Sequence, residues 1–218
     1  MLRALPLAAA ILVLAGCSGG PRRGLVVSGQ LPEGWTVHET EHYQVQTDAT
    51  PAAAARLGRK LERILALYRE FLPTDRALPR FPVKFFRSYQ DYLHYGGEEG
   101  SGGFYDEHHE ELVATRFENF TLEVDVPGRP GGAKSKRVVR VAMPQEKVDA
   151  AIYHEAWHQY MHWAVDSDGD FPAWFDEGMG DYFGQAKGEE EGFELGRLHP
   201  EWVEALQEAI REGRHVPL

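Results

Sequence analysis

The chain has 218 residues, of which 43% are hydrophobic and 26% charged, ordinary proportions for a globular protein able to build one core. Its formal charge is −11 and no Lys/Arg cluster offsets it, which argues against nucleic acid or anionic headgroups as partners. A single cysteine excludes a disulfide framework.

Residues 1–16 carry one basic residue, Arg3, and then an apolar run over 4–15. This is the pattern of a secretory signal, too short to cross a bilayer as a helix. It ends Leu14-Ala15-Gly16-Cys17, which resembles the bacterial lipobox. The resemblance implies an acylated Cys17 and an exported lipoprotein held to the cell envelope. Lipidation would also account for a lone thiol in an exported chain. Ser18 follows the cysteine, which by resemblance to sorting patterns implies the outer membrane if the cell is Gram-negative. Loss of 1–16 takes only Arg3 from the 23 basic residues, so 22 face 34 acidic ones and the charge is near −12. Residues 17–33 begin with Gly, Pro and Ser and read as a flexible lipid-anchored tether. Residues 34–218 read as one domain.

Within that domain, residues 35–37 and 42–47 are predicted strands, the second alternating Tyr43, Val45, Thr47. Thr50-Pro51 opens a helix by N-cap and first-turn chemistry. Leu57, Leu61, Ile64, Leu65, Tyr68 and Phe71 recur on one face of it, and Pro73 follows its end. Residues 81–86 read as a buried strand, 88–95 as a short helix, and 96–103 as a mobile glycine-rich turn without a phosphate-loop pattern. Two paired strands, 104–105 and 111–117, are predicted around a solvated turn holding His108 and His109. Neighbouring residues on a strand point to opposite faces, so that histidine pair is a poor chelate. Residues 119–126 and 136–142 alternate and flank Pro127-Gly128-Arg129-Pro130-Gly131-Gly132, a predicted hairpin. A helix over 145–164 follows Pro144, a second begins near Pro172, and a last one, 200–213, has Trp202, Val203, Leu206 and Ile210 on one side. Strands followed by helices predict an α+β fold: a small, mostly antiparallel sheet packed against two site helices.

The first site helix contains His154-Glu155-Ala156-Trp157-His158, and Glu177 follows eighteen residues later. On a helix, His154 and His158 stand one turn apart on the same face and can share one metal ion. Glu155 sits where it can take a proton from an attacking water. Glu177, early in the second helix, supplies a third ligand and leaves a fourth position open. Asp181, one turn further on, can accept the N–H of a liganding histidine. Apolar neighbours on both sides of the motif bury these groups, and buried imidazoles need partners.

This wording, H-E-x-x-H-x18-E with an aspartate four residues on, resembles the gluzincin zinc peptidases. Tyr153-His154-Glu155-Ala156-Trp157-His158-Gln159 and Trp174-Phe175-Asp176-Glu177-Gly178 are most similar to the smaller peptidase-MA-like bacterial lipoproteins. The resemblance is strong over 138–184 and weaker over 35–137. It implies a thermolysin-like core and one Zn2+ on His154, His158 and Glu177. Glu155 would be the general base, Asp181 the carboxylate behind a ligand, and a peptide or protein the substrate. Gly180 departs from the pattern, since two glycines in four residues weaken a helix. No residue matches the oxyanion-stabilising group of larger relatives; Tyr160, Tyr182, His199 and His215 are available without a motif. Relatives continue past the point where this chain ends, which leaves a minimal domain and a shortened one both open.

Other metal readings carry less. Met161 and Ala164 stand where a metzincin has glycine and histidine. His162 continues the one-turn spacing but would crowd the ion along one line. Asp166-Ser167-Asp168-Gly169-Asp170 opens like a calcium loop, yet Phe171 occupies the glycine position and Glu177 would have to serve twice. The alternative function, from a different class, is a non-catalytic envelope binding or assembly protein with a structural metal. Such a site has no need of Glu155.

Overall fold

The structure, a computed structural model, describes residues 31–116, 120–126, 135–141, 144–165, 172–188 and 192–214. The expected signal, Cys17, most of the tether, the 127–132 tip, the acidic 166–170 segment and His215 lie outside these residues.

Two short strands, β1 (Thr36–Glu39) and β2 (Tyr43–Thr47), precede the long helix α1 (Pro51–Phe71). Thr50 caps α1, its Oγ1 accepting the Ala53 N–H at 3.3 Å, with Pro51 in the first turn. The predicted stripe is buried from Leu57 to Tyr68, whereas Phe71 at the helix end is half-exposed. Then come β3 (Phe81–Phe86), α2 (Tyr89–Tyr95), β4 (Gly103–Asp106) and β5 (Glu111–Thr115). These strands form one five-stranded sheet in the order β1-β2-β3-β5-β4.

The expectation of a mostly antiparallel sheet is corrected here. β2–β3 and β3–β5 are parallel, and only the outer pairs β1–β2 and β4–β5 are antiparallel. The cause is connectivity: α1 carries the chain back between β2 and β3, and a crossover over a helix returns the next strand in the same direction. Every residue of β3 is buried, as suits a central strand covered on both faces. One face of the sheet (Tyr43, Val45, Val83, Phe85, Leu112, Ala114) packs on α1 and on α3 (Gln145–Ala164). The other face gathers Phe86, Tyr92 and Val113, with Trp35 and Phe104 against them.

On that second face Lys84 and Glu111 form a buried ion pair, and Tyr95 O–H donates to the same carboxylate. Both charges satisfy each other and stitch α2 to the sheet. On the first face, α3 is fixed by polar contacts through the core. Tyr68 O–H donates to the Tyr153 carbonyl, Tyr160 O–H to the Leu72 carbonyl, and Gln159 Nε2 to the Pro82 carbonyl at 2.9 Å.

The strands β6 (Phe120–Val126) and β7 (Ser135–Val141) make the predicted hairpin as a separate two-stranded sheet, Phe120 opposite Val141. α4 (Ala173–Gly184) packs on α3, and α5 (Pro200–Arg211) ends the described chain. No residue of α5 is buried; its Trp202, Leu206 and Ile210 are half-exposed. Among the described residues no helix is long and apolar enough to cross a membrane.

Candidate metal centre

α3 delivers His154 and His158 one turn apart with ring centroids 4.8 Å from each other, as helical periodicity requires. α4 crosses directly over them. A Cβ on Gly180 would come within 2.9 Å of the His154 ring, and one on Gly184 within 2.9 Å of the Ala150 carbonyl oxygen. Gly180, costly to a helix by propensity, is therefore a packing requirement. Helix propensity is given up at 180 and 184 so that α4 can approach the imidazole and the α3 backbone.

This approach brings Glu177 to both rings. Its Oε2 lies 3.2 Å from His154 Nε2 and 3.7 Å from His158 Nε2. One ligand atom from each of His154, His158 and Glu177 lies within 4.8 Å of the others. The Nδ1 atoms face away from this point. His154 Nδ1 pairs with Asp181 Oδ1 at 3.1 Å, and His158 Nδ1 with Asp176 Oδ2 at 3.0 Å. With each Nδ1 paired to a carboxylate, each Nε2 is aimed at Glu177, where a cation could take the place of its proton. Two imidazoles and a carboxylate with these orienting partners match the donor set of a catalytic zinc site.

Asp176 was not anticipated from the sequence. Besides His158 it accepts the indole N–H of Trp157 at Oδ1, 3.0 Å away. A signal existed: positions 176, 180 and 184 form one helical stripe, and two of them are glycines that let α4 sit close on α3. The third residue of that stripe had to meet α3 as well.

Glu155 projects beside the centre and is held by the edge strand β4. The Tyr105 backbone N–H donates to Glu155 Oε2 at 3.0 Å. The Thr115 N–H bonds the Gly102 carbonyl, and Tyr105 stands opposite Leu112, so alternation leaves the polar groups of Gly103 and Tyr105 pointing off the sheet edge. Gly103 lies close to Glu155, a Cβ there falling 3.6 Å from its Cγ.

The charges are strongly coupled. Burial pulls the His154 pKa down, but hydrogen bonds to Asp181 and Glu177 outweigh it and raise it to about 9. At His158 burial is likewise outweighed, by Asp176 and Glu177, and the value rises to about 10. Hydrogen bonds from the two imidazoles hold Glu177 down at about 2. Burial pushes Glu155 upward, against the neighbouring imidazoles and the Tyr105 N–H. Without a metal the site thus stores protons on both rings, and a cation must displace them.

The remaining candidates separate from the centre. His162 is not part of the converging group and instead lies with its ring 5.7 Å from that of Tyr105. Tyr160 is fully buried with its O–H spent on Leu72, so it is withdrawn as an oxyanion stabiliser. Tyr182 is exposed on α4, and His199 stacks on Trp202. His109 closes the turn after β4 by pairing with Asp106 at 2.7 Å. Glu111 lies near that pair, but its carboxylate already serves Lys84 and Tyr95. Comparison of the chain with protein-family models, curated proteins and solved structures finds no match.

Proposed function

We propose that this protein is a zinc-dependent peptidase of the gluzincin type with a thermolysin-like core, exported and anchored to the bacterial cell envelope through a lipid on Cys17. The observation that carries the reading is the convergence of His154 Nε2, His158 Nε2 and Glu177 Oε2, with a carboxylate behind each imidazole and Glu155 beside them. His154, His158 and Glu177 would hold a zinc ion, which would supply the Lewis acidity that acidifies water and polarises a carbonyl. Glu155 takes the proton of the attacking water and returns it to the leaving amine. Its upward-shifted carboxyl suits that exchange, and the Tyr105 N–H keeps one oxygen oriented. Asp181 and Asp176 hold the imidazoles in the tautomer that ligates.

β4 forms one edge of the five-stranded sheet. A substrate backbone laid along a sheet edge as an added strand would bring a peptide bond past Glu155.

Glu155→Gln tests the reading. Wild-type and variant protein should each bind one equivalent of zinc, and cleavage of a quenched-peptide library or casein should be lost only in the variant. Wild-type protein that holds zinc yet cleaves neither substrate favours a metal that serves structure alone.

A further inference from the structure

Trp157 lies between Glu155 and His158 in the chain, but its ring is fully buried. It packs edge-on against Tyr68 and Phe71 and at a tilt against Tyr160 and Phe183. Its indole N–H reaches the metal centre, donating to Asp176 Oδ1 at 3.0 Å, while Asp176 Oδ2 pairs with His158 Nδ1 at 3.0 Å. A carboxylate offers two acceptors and no donor, so it serves both N–H groups at once. A side-chain amide of the same shape has one acceptor and one donor and cannot.

We propose that the Trp157 N–H makes a carboxylate obligatory at position 176, by claiming one arm of that side chain and leaving only the other to set the tautomer of His158. With an amide at 176, the indole N–H would take the amide oxygen and turn the NH2 group toward His158 Nδ1. That nitrogen would then have to accept, so the single proton of the neutral ring would sit on Nε2. The lone pair facing Glu177 and the metal position would be lost. Without the indole N–H, the amide turns over, gives its oxygen to His158 and restores the ligating tautomer. Trp157 and Asp176 are positioning residues, acting through His158. The inference rests on the zinc reading of the centre.

The test compares wild type, Asp176→Asn, Trp157→Phe and the double variant, with zinc affinity measured by chelator competition and the cobalt-substituted spectrum recorded alongside. Loss of the orienting group at 176 should weaken zinc binding by about 100-fold, the upper end for such partners, and Trp157→Phe alone by less than about tenfold. The double variant should bind roughly tenfold more tightly than Asp176→Asn, a recovery that mere damage to packing cannot produce. A double variant that binds no better than Asp176→Asn overturns the proposal while leaving the zinc reading intact. Wild-type protein that takes up no zinc overturns both. If phenylalanine leaves too large a void for folding, site-specific benzothienylalanine at 157 keeps the bicyclic ring and removes only the N–H. The same recovery is then required of it.

Discussion

Gly180→Ala should strengthen a helix and weaken the site it carries. Alanine at an interior helix position normally gains about 1 kcal/mol over glycine. Here the added Cβ would stand 2.9 Å from both Cε1 and Nδ1 of His154 and 3.0 Å from Nε2, against ordinary contact from 3.4 Å. Relief requires about 0.5 Å of displacement. α4 cannot supply it freely, because Gly184 already rides within 2.9 Å of the Ala150 carbonyl by the same measure. The ring must move instead, away from Asp181 at 3.1 Å and Glu177 at 3.2 Å. Metal-ligand distances tolerate only about 0.2 Å, so the shift spoils one of three ligands. Overpacking costs about 1–3 kcal/mol, which roughly cancels the propensity gain in the metal-free protein. Zinc affinity should fall by about 10–100-fold, as when an orienting partner is lost. Chelator competition measures the first quantity and urea unfolding of chelator-treated protein the second. A variant that binds zinc within twofold of wild type would refute the claim that α4 is pressed against His154.

Zinc binding at pH 7.5 should release close to two protons, since the metal-free imidazoles titrate at about 9 and about 10. Two ordinary histidines would release about 0.2 in total, and calorimetry in buffers of different ionisation enthalpy separates these outcomes. Raised histidine values stabilise the metal-free fold fully below about pH 6.5, and this contribution is lost as pH rises through 9 to 10. The lowered Glu177 value contributes above about pH 4.5 and is lost as pH falls toward 2. Thermal melts of chelator-treated protein across pH 3–10 check both limbs; a melting temperature still rising between pH 7 and 10 would contradict them. Lys84→Met strands a buried Glu111 carboxylate and should cost about 3–5 kcal/mol in urea unfolding, with Lys84→Met/Glu111→Leu costing less than the single change; a single-variant loss under 1 kcal/mol would count against a tight pair. Cys17→Ala should abolish incorporation of labelled fatty acid into the expressed protein, and labelling that persists would remove the anchor from the proposal.

Local pattern made some parts of the molecule readable in advance. Thr50-Pro51 and the Leu57–Tyr68 stripe locate α1, and His154 with His158 at helical spacing places two imidazoles on one face, because these signals lie within a single helix. Asp181 is readable for the same reason, one turn from Glu177. The pairing of β2 with β3, and of β3 with β5, is set by which strands a crossover brings together, and nothing local in residues 43–47 or 81–86 states it. That Lys84 pairs with Glu111 follows only once β3 and β5 are placed side by side. Gly180 reads as a weakness when helix propensity is weighed alone; its value appears only with the His154 ring opposite. The role of Asp176 needs the α3–α4 crossing, which brings Trp157 and His158 to a single carboxylate. The apolar stripe of α5 shows that periodicity predicts a face without saying that a core will cover it.

Diffraction from zinc-loaded crystals at the metal's absorption edge tests the central claim most directly. One anomalous peak should lie about 2.0–2.1 Å from His154 Nε2 and His158 Nε2 and about 2.0–2.2 Å from a Glu177 oxygen. A metal bound elsewhere, or one between the imidazoles with Glu177 turned away, would contradict the account.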